Sequence, residues 1–339
     1  MASPVSKEHV VRLISYSLVF AAGLAAGWLA NDNFGDLSGK ENKSKVVALG
    51  HQRLLNPLLD CEVAETRLRT RQLKPFKSKI QKIITDSINK GMASQISVYF
   101  RDLDDGKVFE INADRGYSPA SLGKVPIMMA YLKRAESDPG LLKKRILYDG
   151  KQDLAKRQNF KPRETLVAGK SYTVDELIYR MIAYSDNNAW KLLINGIDEQ
   201  YLNTLVAELG ADFAYDDSGK VVVTVKSYSI FLRVLYNASY LNKEMSEKAL
   251  EYLSVEEFPF GISSSIPAGV TIASKFGEKE SGKNLQVKSL HNYGIVYHAK
   301  QPYLICIMTE GDNFYNLAPI IHEISSAVYA EVDSQTRGQ

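Results

Sequence analysis

Beyond residue 75 the chain reads as strand only near its two ends, and that separation limits the folds open to it. Residues 95–103 (QISVYFRDL) and 108–112 (VFEIN) have strand character, and the DDG between them is a hairpin turn signal. Three further strand-like runs come late, at residues 271–276, 289–298 and 303–309. A long stretch of helical character, about residues 121–254, lies between. One helix is expected ahead of the hairpin, over residues 75–91, with Phe76, Ile80, Ile83, Ile84 and Ile88 on one face and Gly91 as its terminator. Another closes the domain at residues 318–332, with Ile320, Ile321, Ile324, Val328 and Tyr329. Segregated strands of this kind predict an α/β fold of the α+β type. A five-stranded antiparallel sheet is built from both ends of the chain and covered by the N- and C-terminal helices, with an all-helical subdomain inserted. Residues 75–334 form one domain, its α/β part at 75–120 and 256–334 and its helical part at 121–255. A site is expected where the two parts meet.

Within the helical part, TVDE at residues 173–176 has the form of a capping box. Asp198 and Gly210 bracket a further helix as cap and terminator.

The first thirty residues differ in kind. Residues 13–30, LISYSLVFAAGLAAGWLA, carry no charge over eighteen positions, the length at which a membrane-spanning helix is the default reading. Lys7 and Arg12 precede the run while Asp32 and Asp36 follow it, so residues 1–12 are expected to be a short cytoplasmic tail and the domain to be extracytoplasmic. A cleaved signal peptide is the competing reading; no Ala-x-Ala site closes the run, which favours an uncleaved single-pass anchor at the cell membrane. Residues 31–74 read as a stalk, polar and aperiodic at first, with LLNPLLDCE at 54–62 expected to dock on the domain.

Composition serves mainly to exclude. A net charge of +3 on 339 residues gives no sign of a nucleic-acid partner, and KKR at 143–145 reads as a solvated face. The five histidines include no His-x-x-x-His pair, so neither a metal nor another cofactor is expected. Cys306 lies in the apolar run YLICIM and reads as a small buried hydrophobe, leaving a disulfide with Cys61 open. Nothing in the sequence speaks to oligomeric state.

Two Ser-x-x-Lys pairs occur. Ser87 and Lys90 fall on the solvent side and at the end of the first amphipathic helix. Ser121 and Lys124, in SPASLGKVP (118–126), open a helix instead, where backbone N–H groups face developing negative charge and a lysine one turn on reaches the same face. Pro126 lacks an N–H, so the first turn must either leave a carbonyl unpaired or tighten. For Lys124 to act as a base, its pKa must fall from about 10.4 to about 7.5, or about 4 kcal/mol. A helix terminus supplies at most about 2 kcal/mol. The remainder requires burial and a second cation, and Lys275 in the late run VTIASKFGE is the candidate.

SLGK (121–124), SDN (185–187) and KFG (275–277) follow one another in the order of the Ser-x-x-Lys, Ser-Asp-Asn and Lys-Thr-Gly signature. In this the sequence resembles the superfamily of class A β-lactamases and penicillin-binding proteins, over roughly residues 76–332. The resemblance implies that Ser121 is the nucleophile, that Lys124 is its base, and that Ser185 relays a proton to the leaving group. It implies that Asn187 holds the substrate amide, that Lys275 attracts a substrate carboxylate, and that Gly277 lets the backbone approach. The N–H of Glu278 then joins that of Ser121 as an oxyanion hole. Asp186 is expected to anchor its loop. The substrate so implied is a β-lactam or the D-alanyl stem peptide of peptidoglycan.

Two departures matter. Phe276 stands where Thr or Ser is usual and removes a hydroxyl that helps hold a carboxylate. Between Gly210 and Thr224 there is no Glu-x-x-Leu-Asn, the element whose glutamate activates the deacylating water in class A β-lactamases; the acids there are Asp212, Asp216 and Asp217, in what reads as a turn. A penicillin-binding-type D,D-peptidase, or an acylated binding or sensor module with little turnover, is therefore the alternative to a β-lactamase. A lipid-type esterase of the same superfamily is disfavoured by SDN.

Overall fold

In the computed structural model, which describes residues 53–56, 73–211, 213–216 and 219–337, the expected N-terminal helix is α1 (Leu73–Asn89), followed by the hairpin β1 (Gln95–Asp102) and β2 (Val108–Ile111). A 3₁₀ turn (Ala120–Gly123) runs into α2 (Lys124–Ala135). Next come a short ladder of β3 (Arg145–Leu147) and β4 (Ser171–Thr173), then α3 (Val174–Ala183), α4 (Asn187–Asn195) and α5 (Glu199–Glu208). A second ladder, β5 (Ala214–Tyr215) with β6 (Val221–Val222), precedes α6 (Val225–Tyr236) and α7 (Lys243–Ser254). The chain closes with β7 (Ile272–Ser281), β8 (Val287–Val296), β9 (Tyr303–Gly311) and α8 (Phe314–Arg337).

The large strands form one five-stranded sheet in the order β2-β1-β9-β8-β7, antiparallel at every junction. The predicted assembly from both chain ends therefore holds. The helical part is not all-helical, since it carries the two small ladders; strands of two or three residues leave no periodic trace in a sequence. Strand β7 also runs five residues beyond Phe276, because Glu278 to Ser281 pair with β8 although their polar side chains hide the alternation.

Alternation along the strands divides the interior in two. Ile96, Val98 and Phe100 of β1, with Ile305 and Ile307 of β9, face α1 and α8, where Phe76, Ile80, Ile84, Ile320 and Ile324 are buried. Tyr99, Leu304, Cys306 and Met308 point the other way, into a core shared with the helical part. Cys306 there is a buried free thiol whose pKa burial pushes up. Ser87 is buried rather than solvent-facing, while Lys90 is exposed.

The expected docking of residues 54–62 is seen where they are described. Leu54 and Leu55 are buried, the N–H groups of Arg53, Leu54 and Leu55 donate to the Glu247 carboxylate on α7, and Tyr297 donates to the Leu54 carbonyl at 2.8 Å. Residues 13–30 and Cys61 lie outside the described residues. Among those described, no helix is long and apolar enough to cross a membrane.

Candidate active site

Pro126 explains how the chain enters α2. The helix bond from residue 126 to the Leu122 carbonyl cannot form, and residues 120–123 tighten into a 3₁₀ turn, with Ala120 forced to a φ of 51°. The α-helix thus begins at Lys124, three residues later than expected. The carbonyl that proline leaves open is taken by the buried hydroxyl of Tyr228 on α6. Tyr228→Phe is expected to leave that carbonyl unpaired in the core and to destabilise the fold by about 1–3 kcal/mol. Urea unfolding of the variant measures this.

Ser121 sits on the turn, partly exposed, at the wall of a cavity of about 630 Å³. Strand β7 reaches it at Gly277. A Cβ on that glycine would lie 3.2 Å from the Ser121 nitrogen and 3.1 Å from that of Leu122, so backbone approach depends on the missing side chain. Strand β7 is the edge of the sheet. The Phe276 N–H leaves that edge for the Glu256 carboxylate, and antiparallel alternation places the Glu278 N–H on the same free edge, beside the Ser121 turn.

Lys124 is buried, with 3% of its surface exposed. Its Nζ lies 2.6 Å from the Ser185 carbonyl, 3.1 Å from Ser185 Oγ and 2.7 Å from Asn187 Oδ1. Burial lowers its pKa well below the ordinary lysine value, and the like charge of Lys275 lowers it further, against the opposing pull of Asp186 and Glu278. The second element is built to meet it. Thr173 and Glu176 form both halves of the capping box that opens α3, and the helix ends so that Ser185 takes a φ of 53°. Asp186 then caps α4, accepting from the N–H groups of Asn188 and Ala189. It anchors the loop as expected.

The third element departs from expectation. Lys275 is sealed, with none of its side chain exposed, and its Nζ lies 3.1 Å from Glu256 Oε1. The same carboxylate accepts from the Ser274 hydroxyl at 2.7 Å. Lys275 therefore faces an internal acid and does not line the cavity. Phe276 points to the opposite side of the sheet, stacked on Phe258 at 4.1 Å, within a cluster that includes Phe160.

Residues 153–160 form a strap that sequence reading passed over. Gln158 donates to the Ser185 carbonyl at 3.1 Å and accepts from the Asn187 N–H at 3.2 Å. Asn188 accepts from the Leu154 N–H at 2.7 Å. The Glu278 carboxylate, chosen from sequence only for its backbone, accepts from the Asn159 and Phe160 N–H groups at 3.1 and 3.0 Å. Burial raises its pKa despite these bonds. The strap thus ties the Ser185 loop to β7. No composition or spacing signal marks it; an Asp153 cap on a 3₁₀ turn is its only local feature.

On the near side, in the segment expected to turn, the Gly219 N–H donates to the Asp216 carbonyl at 2.8 Å. This hairpin contributes Lys220 and Val221 to the cavity. Asp216 is exposed, and Asp212 and Asp217 lie outside the described residues.

His291 on β8 supports the segment that leads to Ser121, its Nε2–H donating to the Ser118 carbonyl at 2.9 Å. Burial lowers its pKa to about 4. An imidazole held neutral in the fold but charged in the unfolded chain withdraws stability as pH falls from about 6.5 toward 4. The full loss is on the order of 3 kcal/mol. Urea midpoints at pH 7 and pH 4.5 should separate less in His291→Gln than in the wild type.

A sheet of this topology with a helical insertion and a Ser-x-x-Lys turn at its free edge defines the class: the class A β-lactamase and penicillin-binding-protein superfamily of serine hydrolases. The chain belongs to the β-lactamase enzyme family, whose model matches residues 75–332. Among solved structures it is similar to a PBP-A mutant captured as an acyl-enzyme complex with penicillin G, at 19% identity and a TM-score of 0.65, covering 78% of this chain and 98% of that one. It is similar also to a class A β-lactamase from Mycobacterium abscessus, at 21% identity and a TM-score of 0.64, covering 76% and 99%. A β-lactamase from Sphaerobacter thermophilus follows at 21% identity and a TM-score of 0.62, covering 74% and 95%. At such identities the likeness is one of fold. No curated protein matches the chain.

Proposed function

We propose that the protein is a membrane-anchored, extracytoplasmic serine hydrolase that forms an acyl-enzyme on Ser121 with D-alanyl peptides or β-lactams. The observation that supports this reading is the buried Lys124, one helical turn on from a serine at a cavity wall, with a lowered pKa and contacts to Ser185 and Asn187 that suit a base. With Lys124 neutral, Ser121 Oγ bonds to the acyl carbon, its proton passes to Lys124 Nζ, and the C–N bond breaks. Ser185, 3.1 Å from Nζ, relays the proton to the leaving nitrogen. The N–H groups of Ser121 and Glu278 stabilise the oxyanion, each such donor being worth about 10²–10³ in rate. Water then cleaves the ester and frees Ser121.

The sealed Lys275 and the hydroxyl-free Phe276 do not separate the two activities, because a D-alanyl-D-alanine terminus and a penicillin both carry a carboxylate; the D,D-peptidase reading is favoured over rapid β-lactam turnover by the segment that would hold a deacylating acid. The Gly210–Thr224 segment brings a lysine and a valine to the cavity and no described acid. A fluorescent penicillin tests both points. Stable labelling that disappears in Ser121→Ala supports a penicillin-binding protein, and release with turnover supports a β-lactamase. Identical behaviour of wild type and Ser121→Ala toward every acyl substrate would falsify the nucleophile assignment. Protease accessibility in intact cells tests the anchor at residues 13–30.

A further inference from the structure

Side chains alternate along β7, so Lys275, Gly277 and Lys279 share the face turned toward the helical part. Gly277 marks the position of Ser121, with one lysine two residues to either side of it. Lys275 is closed off: its charge meets Glu256, and the loop it would share with Ser185 is gripped by Gln158 of the strap. Lys279 has the opposite character. It lines the cavity, is only partly buried, and its Nζ uses one proton on Ser118 Oγ at 2.8 Å. Lys220, exposed on the β5–β6 hairpin, lines the same cavity, as does Arg157.

The two lysines are close enough for Lys220 to lower the pKa of Lys279, after burial, while Asp216 opposes the shift. Among the described residues, Glu278 is the one acid that lines the cavity, and both its oxygens accept from strap N–H groups. The wall beyond Gly277 is therefore cationic and open, where the wall before it is neutralised and shut.

We infer that the cavity selects acyl donors bearing a carboxylate about 7 Å from the reacting carbonyl, two strand residues along β7, held between Lys279 and Lys220. The anion is thus recognised on the acyl side of the scissile bond, opposite to Lys275. This rests on Ser121 being the nucleophile.

Two p-nitrophenyl esters test it, the monoester of adipic acid and the uncharged hexanoate, which have acyl chains of equal length. In each, Ser121 Oγ bonds to the acyl carbon, p-nitrophenolate departs with the bonding pair, and the serine proton goes to Lys124. The wild type is expected to prefer the adipate ester about tenfold in kcat/KM, mainly through KM, as one charge-assisted contact at a half-open site provides. In Lys220→Gln/Lys279→Gln the ratio should fall to about one, and in Lys279→Glu it should invert. A wild-type ratio of one, or a ratio that survives the double substitution, overturns the subsite while leaving Ser121 in place. Hydrolysis of both esters by Ser121→Ala at the wild-type rates overturns the nucleophile and the subsite with it.

Discussion

Lys124→Met is expected to slow acylation of Ser121 by about 10³-fold, within the 10²–10⁴ range of a positioned general base. Methionine matches the length of the lysine stem and suits a site that leaves only 3% of Lys124 exposed, so the loss is of chemistry rather than of packing. The Ser185 carbonyl keeps the Gln158 amide as a donor when the ammonium is gone, which preserves the loop. The pH profile of the wild type is the sharper check. The active base is the neutral amine, so the acylation rate rises with pH through the Lys124 pKa and then levels. Burial and Lys275 hold that pKa well below the ordinary lysine value, which places the plateau at correspondingly lower pH. Rapid-quench labelling with fluorescent penicillin follows both quantities. A methionine variant within tenfold of wild type, or a rising limb near the free lysine value, would remove Lys124 from the role of base.

What could be read from sequence and what could not divide along a physical line. Periodicity and capping chemistry are local, and they located α1, the first hairpin, the Thr173 capping box and the two late strands β8 and β9 to within a few residues. Pro126 foretold a carbonyl needing a partner or a tightened start, and the structure has both, in Tyr228 and the 3₁₀ turn. The identity of that partner was invisible, because 106 positions separate it from Leu122. Glu256 and the strap were missed for the same reason. A carboxylate in VEEF looks like any exposed loop acid until the fold brings Lys275 against it, and Gln158 has no meaning before Ser185 lies beside it. The need for a second cation points to Lys275, whose charge does act on Lys124, yet nothing in the sequence marks Glu256 as the acid that pairs with it.

The Glu256–Lys275 pair carries the other large expectation. In Glu256→Gln the amide still offers an oxygen to Lys275 and to the Phe276 N–H, so shape and hydrogen bonds are nearly kept while the charge is lost. Lys275, with no exposed surface, is then an uncompensated cation in the interior. Removing one partner of such a pair typically costs about 3–5 kcal/mol at neutral pH. Burial already holds Lys275 below the ordinary lysine value, and Glu256 opposes that shift, so the substitution lowers the folded pKa further. A depressed lysine leaves the unfolded chain holding more protons between the folded value and the ordinary lysine value, and stability rises with pH across that window. Urea unfolding should therefore show a deficit in Glu256→Gln that shrinks as pH is raised, with a flatter dependence in the wild type. Glu256→Gln/Lys275→Met removes both charges and should recover most of the loss, since apolar replacement of a buried pair is often neutral or stabilising. Its acylation profile distinguishes the two duties of Lys275. With the like charge gone, the Lys124 pKa climbs and the rising limb moves to higher pH, whereas a Lys275 that serves packing alone would leave the limb where it was.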